Sequence, residues 1–211
     1  MARAGEGRPG LGLGALAVGA ALALSSGPAL AQGGDADDQG RVVVRRDQGQ
    51  ADALAQALRG ALDALRAGPA GAERLGAALA AWRPDAEVVR DLLRGGPDGP
   101  LGKAALAEAE VTFAGAPAEV AARLGLRPDL AEVEVFEAWT EDLATMQPES
   151  VAAREFASGL RWIAKHLPAR YRWYVAVLRP KGSDEAVRLQ VFAFSARRWV
   201  YLGRLWRLDA P

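Results

Sequence analysis

Arginine and aromatic residues recur through the last 40 residues of this 211-residue chain, and both types suit ligand binding. Guanidinium groups bind anions through paired hydrogen bonds, and aromatic rings stack on flat ligands. Because alternate residues of a strand share one face, arginines of adjacent strands can line up. We therefore predict a surface that binds a small anionic or aromatic ligand, formed by Arg172, Arg188, Phe192, Trp199 and Arg204. This surface requires a pocket that Arg188, Phe192 and Trp199 line together.

A structural interpretation of the same residues is favoured over ligand binding. In it the aromatic rings form the core and the arginines pair with an acidic run, whose members are Glu132, Glu134, Glu137, Glu141 and Asp142. Residues 32–160 hold 13 Lys and Arg against 22 Asp and Glu, a net charge of −9. Residues 161–211 hold 11 against 3, a net charge of +8. An external anionic partner for the basic half is the alternative to internal pairing.

The acidic run also allows a catalytic interpretation. Alternation places Glu132 and Glu134 on one strand face, and paired carboxylates perform acid–base catalysis in glycoside hydrolases. A hydrolase-type enzyme would need Glu137 or Glu141 in a cleft opposite another acid or His166. With one His and no Cys, a usual zinc site is nearly excluded, and we predict no metal site and no cofactor. A non-catalytic role is therefore favoured over an enzyme, and no catalytic residue is assigned.

Residues 1–31 have the three parts of a secretory signal peptide. Arg3 and Arg8 provide the positive charge, residues 11–24 form an uncharged apolar stretch, and small residues precede a cleavage site after Ala31. We expect the mature protein to be periplasmic or secreted. The apolar stretch is too short to span a bilayer and no second one follows, so no transmembrane span is predicted after cleavage. An address outside the cytoplasm also argues against nucleic acid as a partner.

Composition and apolar spacing divide the rest of the chain into three parts. Residues 32–49 are rich in Gly and Asp and are predicted to form a flexible leader. Residues 50–95 show the period of amphipathic helices and form a helical segment. Residues 101–211 form an α+β segment, which we expect to share one domain with residues 50–95. At the start of this segment the pattern favours a strand at 111–113 and a helix at 117–124.

The C-terminal half is predicted to combine an antiparallel sheet with a helix. Alternation and β-branched or aromatic residues mark strands at 132–139, 172–179, 186–194 and 198–207, and apolar spacings of 4, 3 and 4 mark a helix at 148–166. The fold class is α+β, with N-terminal helices and a C-terminal antiparallel β-meander that has a helix packed on one face. This order of elements resembles that of the cone-shaped, nuclear-transport-factor-like folds.

These observations predict an exported soluble domain with a non-catalytic role. It would be a ligand-binding or envelope-associated protein, with a small anionic or aromatic ligand or an envelope protein as its partner. One alternative is a protein-interaction module that docks through helices 50–95. That alternative requires an exposed apolar patch among Leu54, Leu58, Leu62 and Trp82. The other alternative is the hydrolase that uses the acidic run.

Overall fold

Helices and an antiparallel sheet make up residues 48–205, the part of the chain that the structure, a computed structural model, describes. The predicted signal peptide at 1–31, most of the predicted leader at 32–49, and Trp206 and Arg207 lie outside the described residues. The α+β fold class is confirmed. No helix between residues 48 and 205 has both the length and the apolar composition needed to cross a membrane.

The strands follow one another in the sheet in the same order as in the chain. They are β1 (Leu130–Trp139), β2 (Arg172–Pro180), β3 (Val187–Ser195) and β4 (Arg198–Tyr201), and each pairs antiparallel with the next. The helices are α1 (Gln48–Arg66), α2 (Ala72–Trp82), α3 (Ala86–Leu92), α4 (Pro100–Thr112), α5 (Pro117–Arg123), α6 (Thr140–Thr145), α7 (Val151–Glu155) and α8 (Leu160–Ile163). The last three strands form the predicted meander.

Helices cover both faces of the sheet. Tyr174, Ala176 and Leu178 of β2 belong to a hydrophobic cluster with α1, α2 and α5, whereas Trp173 and Val175 belong to a second cluster with α3, α4 and α6–α8. Because neighbouring strand residues point to opposite faces, the two clusters lie on opposite sides of the sheet. The prediction placed a helix on one face only. The nearly continuous apolar run of β2 is the pattern of a strand buried on both faces.

A β-bulge interrupts the middle of β3. Residues 174–176 of β2 pair with residues 189–192 of β3, so β3 carries one extra residue. Val191 lies at this bulge with a φ of 63°. On the other side of β3, β4 pairs only with residues 192–195. The chain then leaves the sheet, and the Leu202 N–H donates to the Val191 carbonyl. The first half of β3 therefore extends beyond β4.

The outer strand β1 receives side-chain hydrogen bonds from α1. The Arg59 guanidinium donates to the Val133 carbonyl (3.3 Å). Arg66 donates to the carbonyls of Pro128 (2.9 Å) and Leu130. In the described sheet β1 has a partner strand only on its β2 side. The two arginines therefore satisfy backbone acceptors on and just before an edge strand.

The sequence predicts one continuous helix at 148–166, but the structure has two short helices there. α7 ends at Glu155, and α8 begins only at Leu160. Between them the side-chain amide of Gln190, on β3, accepts from the Ala157 N–H (3.1 Å) and donates to the Glu155 carbonyl (3.1 Å). These bonds satisfy backbone groups that would otherwise need helical partners. The break thus depends on a residue distant in sequence.

Two other predicted boundaries are also wrong. Residues 111–113 are not a strand, because Val111 and Thr112 form the end of the 13-residue helix α4. Their β-branched side chains favour strands, but packing of the whole helix overrides that weak preference. β4 ends at Tyr201 instead of continuing to residue 207.

The buried hydroxyl of Thr140 hydrogen-bonds to Trp173 of the second cluster, and its contribution to stability can be tested. It donates to the Pro168 carbonyl (2.7 Å) and accepts from the Trp173 indole N–H (2.9 Å). Thr140→Val keeps the shape but leaves both groups unpaired, so we expect the free energy of unfolding to fall by about 1–3 kcal/mol in urea titration. Thr145→Val is the control, since that hydroxyl donates to the Glu141 backbone carbonyl on an exposed helix surface (3.2 Å). Equal losses in the two variants would contradict this role.

Candidate functional site

A cavity of about 360 Å³ lies beside the first half of β3. The C-terminal ends of α4 and α5, the first residues of β3 and the chain from Tyr201 to Arg204 contribute its walls. The bulge in β3 and the early end of β4 leave this part of the sheet edge open. The volume falls within the range of small-molecule sites. We call it the arginine cavity, because Arg123, Arg188 and Arg204 line it together with one acid, Glu108.

The structure thus brings together two of the predicted ligand-binding residues, Arg188 and Arg204. Arg123 joins them from the last turn of α5, and the sequence analysis did not select it. A basic residue in the last turn of a helix is common, because it favours the helix dipole. Its place in the cavity depends on how α5 lies against β3, which no local pattern reveals.

Arg123 is held by structural hydrogen bonds. Its guanidinium donates to the carbonyls of Val111 (3.0 Å) and Thr112 (2.7 Å) at the end of α4, and it lies 3.7 Å from the Glu119 carboxylate. Terminal carbonyls of a helix lack helical partners and carry partial negative charge. Arg123 therefore reduces the negative potential that α4 would otherwise present to the cavity.

Arg188 and Arg204 are less constrained than Arg123. The Arg188 side chain is 45% exposed and lies 3.4 Å from the Glu155 carboxylate, whose side chain is 17% exposed. Arg204 is exposed, and its side chain makes no hydrogen bond or ion pair with any residue between 48 and 205. Most of the guanidinium donors of Arg204 are therefore available to a ligand.

Tyr201 adds a neutral polar group to the arginine cavity. Burial is the main cause that raises the pKa of Tyr201 to about 12, the Arg204 charge opposes this shift, and Glu108 contributes to it. At neutral pH the phenol therefore keeps its proton. It can donate a hydrogen bond without adding negative charge to the site.

The other two predicted aromatic residues lie in the core. Phe192 is fully buried, with its ring edge-on to Trp82 at 5.7 Å and 5.0 Å from Tyr201. Trp199 is also buried and packs edge-on against Tyr174 at 5.0 Å. Neither residue lines the arginine cavity with Arg188. The bulge lies between positions 188 and 192, so the alternation that predicted a shared face is reversed there.

Arg172 lies apart from the arginine cavity. It lines a second cavity of about 290 Å³, with its guanidinium 4.6 Å from the centre of the Trp139 ring. The same guanidinium lies 4.0 Å from the partly buried carboxylate of Glu137. Arg172 thus stacks on an aromatic ring and pairs with a member of the acidic run.

Several basic residues of the C-terminal part pair with acids that precede them in the chain. Arg179 pairs with Glu134, and Arg198 lies 2.6 Å from the Asp85 carboxylate. Together with the Arg172 and Arg188 pairs, these contacts join the two halves of opposite net charge. The Arg172 and Arg179 pairs are the predicted pairing with the acidic run, whereas Arg188 and Arg198 pair with acids outside that run.

Members of the acidic run have structural partners. The Glu141 carboxylate accepts from the Arg170 backbone N–H (2.8 Å), and Asp142 accepts from the Trp139 N–H (3.1 Å) at the start of α6. Within residues 48–205 no group of three or more His, Asp or Glu side chains could hold a metal ion. These contacts favour the structural interpretation of the acids.

The apolar residues proposed for docking on helices 50–95 are buried. Leu54, Leu58, Leu62 and Trp82 have relative exposures of 0%, 0%, 1% and 2%, and all four belong to the cluster on the sheet. They therefore do not form the exposed patch on which that alternative depends.

No protein-family model, no curated protein and no solved structure matches this chain. The resemblance to nuclear-transport-factor-like folds therefore rests on the order of elements alone and stays a prediction. The residues of the cavities and their chemistry are therefore the evidence for function.

Proposed function

We propose that this chain is an exported, non-catalytic protein that binds a small anion in the arginine cavity. The observation that carries the proposal is the convergence of three arginines from separate elements, α5, β3 and the chain after β4, on one cavity of about 360 Å³. Arginines on separate elements repel one another, and an anion between them removes that repulsion. Guanidinium groups also match the geometry of carboxylates and phosphates.

The polarity of the cavity supports an anion over a cation. Three arginines against Glu108 leave a net charge of +2 on its lining side chains. Arg204 has no hydrogen-bond or ion-pair partner among residues 48–205, Arg188 pairs with Glu155, and Tyr201 stays protonated at neutral pH. Arg123 offsets the helix end that would otherwise repel an anion.

Export is supported by the sequence of residues 1–31, with its charged start, apolar stretch and small residues before the cut after Ala31. The two alternative functions have weaker support. Docking through helices 50–95 lacks its exposed patch. Of the acids that a hydrolase would need, Glu137 lies beside the Arg172 guanidinium and Glu141 accepts from the Arg170 backbone N–H.

Loss of an arginine should weaken anion binding. We expect acetate and inorganic phosphate to shift the arginine Nε–Hε signals of Arg188 and Arg204 in ¹H–¹⁵N spectra. Arg204→Gln should weaken the affinity for either anion about tenfold, because it removes a charge-assisted contact. Arg161→Gln is the matched control, since Arg161 is an exposed arginine on α8 outside the cavity.

Glu108→Gln should act in the opposite direction. It removes the one negative side chain of the lining, so we expect anion affinity to rise about two- to fivefold. A gain of affinity cannot come from a damaged fold. Equal affinity in the parent, Arg204→Gln and Glu108→Gln proteins would rule out the proposed site.

A further inference from the structure

We infer that the arginine cavity takes an amphiphilic anion, a medium-chain alkyl carboxylate whose headgroup meets Arg204 and whose chain lies on the apolar wall. This inference rests on the proposed function and specifies its ligand. The apolar part of the lining consists of Val111, Ala122, Leu124, Val187 and Leu189. Val111 is exposed and Val187 is partly buried, so both offer apolar surface to a ligand, whereas Leu124 and Leu189 are buried in the core cluster.

Apolar lining residues are neighbours of charged ones in the chain. Val187 precedes Arg188 on β3, and Leu124 follows Arg123 at the end of α5. A ligand in the cavity therefore meets guanidinium groups and apolar side chains on the same walls.

Val111 strengthens the argument for an apolar ligand segment. Its side chain is 69% exposed at the end of α4. A single exposed valine is ordinary on a protein surface. Here, however, it lines the same cavity as Val187. An alkyl chain in that cavity would cover Val111 and remove its apolar surface from water.

The size of the cavity limits the ligand. A volume of about 360 Å³ is close to the lower end of the range for small-molecule sites. It suits one chain of medium length better than a lipid with two long chains. The guanidinium of Arg204 can bind a carboxylate through two parallel hydrogen bonds, which fixes the headgroup while the chain extends along the wall.

A chain-length series tests the inference. Acetate, butanoate, hexanoate and octanoate are titrated into the protein by calorimetry, with octylammonium as a probe of equal chain length and opposite charge. We expect affinity to rise two- to fourfold per added methylene until the chain leaves the cavity, since a fully buried methylene contributes about fourfold. Octylammonium should bind at least tenfold more weakly than octanoate.

The Val111→Ser variant tests the contribution of the alkyl chain to binding independently of the contribution of the carboxylate. It should reduce the affinity for octanoate severalfold more than the affinity for acetate, and its exposed position protects the fold. Trp162→Ser is the control, because Trp162 is a similarly exposed apolar residue (65%) outside the cavity. Equal affinity for acetate and octanoate, both dependent on Arg204, would overturn the inference and leave the proposed function standing. Octanoate and octylammonium of equal affinity, or no carboxylate binding dependent on Arg204, would overturn both.

Discussion

Phe192→Ala is expected to lower the free energy of unfolding by about 3–5 kcal/mol in urea titration, the largest effect among the substitutions considered. The Phe192 ring is fully buried on β3 and contacts the rings of Trp82, on α2, and Tyr201, on β4. Its removal leaves a cavity where a helix meets the sheet. The loss should appear equally with and without acetate, because Phe192 does not line the arginine cavity.

Phe194→Ala is the matched control on the same strand. The Phe194 side chain is 36% exposed and packs against Trp199 at 5.2 Å. We expect a loss of about 1 kcal/mol, since much of the ring is already in water. Similar losses in both variants would show that Phe192 is less buried than its place in the core implies.

Arg198→Ala is expected to lower the free energy of unfolding by about 2–4 kcal/mol. Its guanidinium donates to the carbonyls of Ala81 (2.7 Å) and Arg83 (2.8 Å) and to the Asp85 carboxylate (2.6 Å). Asp85 also caps α3 by accepting from the Val88 N–H (2.9 Å). One side chain of β4 thus joins the end of α2 to the start of α3. Its removal leaves two carbonyls and a carboxylate without these charge-assisted bonds.

Arg188→Ala is the control for Arg198, since it removes the same positive charge from the adjacent strand. Among the described residues it has one ion pair, 3.4 Å long, to the largely buried Glu155, which should contribute about 1 kcal/mol because the Arg188 side chain is 45% exposed. Chemical denaturation of both variants at equal ionic strength gives the comparison. A loss for Arg188→Ala as large as that for Arg198→Ala would mean that overall charge balance, and not the Arg198 contacts, stabilises this region.

Local patterns predicted three of the four described strands and several helices well, because burial leaves a repeat in the sequence. The predicted strand at 172–179 is β2 within one residue, and the predicted helix at 117–124 matches α5. The break between α7 and α8 was not predictable in this way. It depends on Gln190, a residue more than 30 positions away.

The sequence predicted the types of residue in the candidate site, but it did not predict which of them come together in one cavity. Arg188 and Arg204 were selected as ligand-binding residues, and both line the arginine cavity. The bulge at Val191 places Phe192 on a different face from the one that regular alternation gives. One inserted residue reverses the orientation of everything beyond it. Arg123 could be assigned to the cavity only once the packing of α5 was known.

The hydrogen bonds from α1 to β1 have a consequence for the behaviour of many copies of the protein. A sheet that ends in an open strand offers its backbone acceptors to the amide groups of any neighbouring sheet, and such pairing can propagate into fibres. The carbonyls of Leu130 and Val133 already accept from Arg66 and Arg59. A second sheet would have to displace two charged side chains before it could add a strand there. Helix α1, which packs in the core, therefore also opposes strand pairing between copies of the protein at this edge.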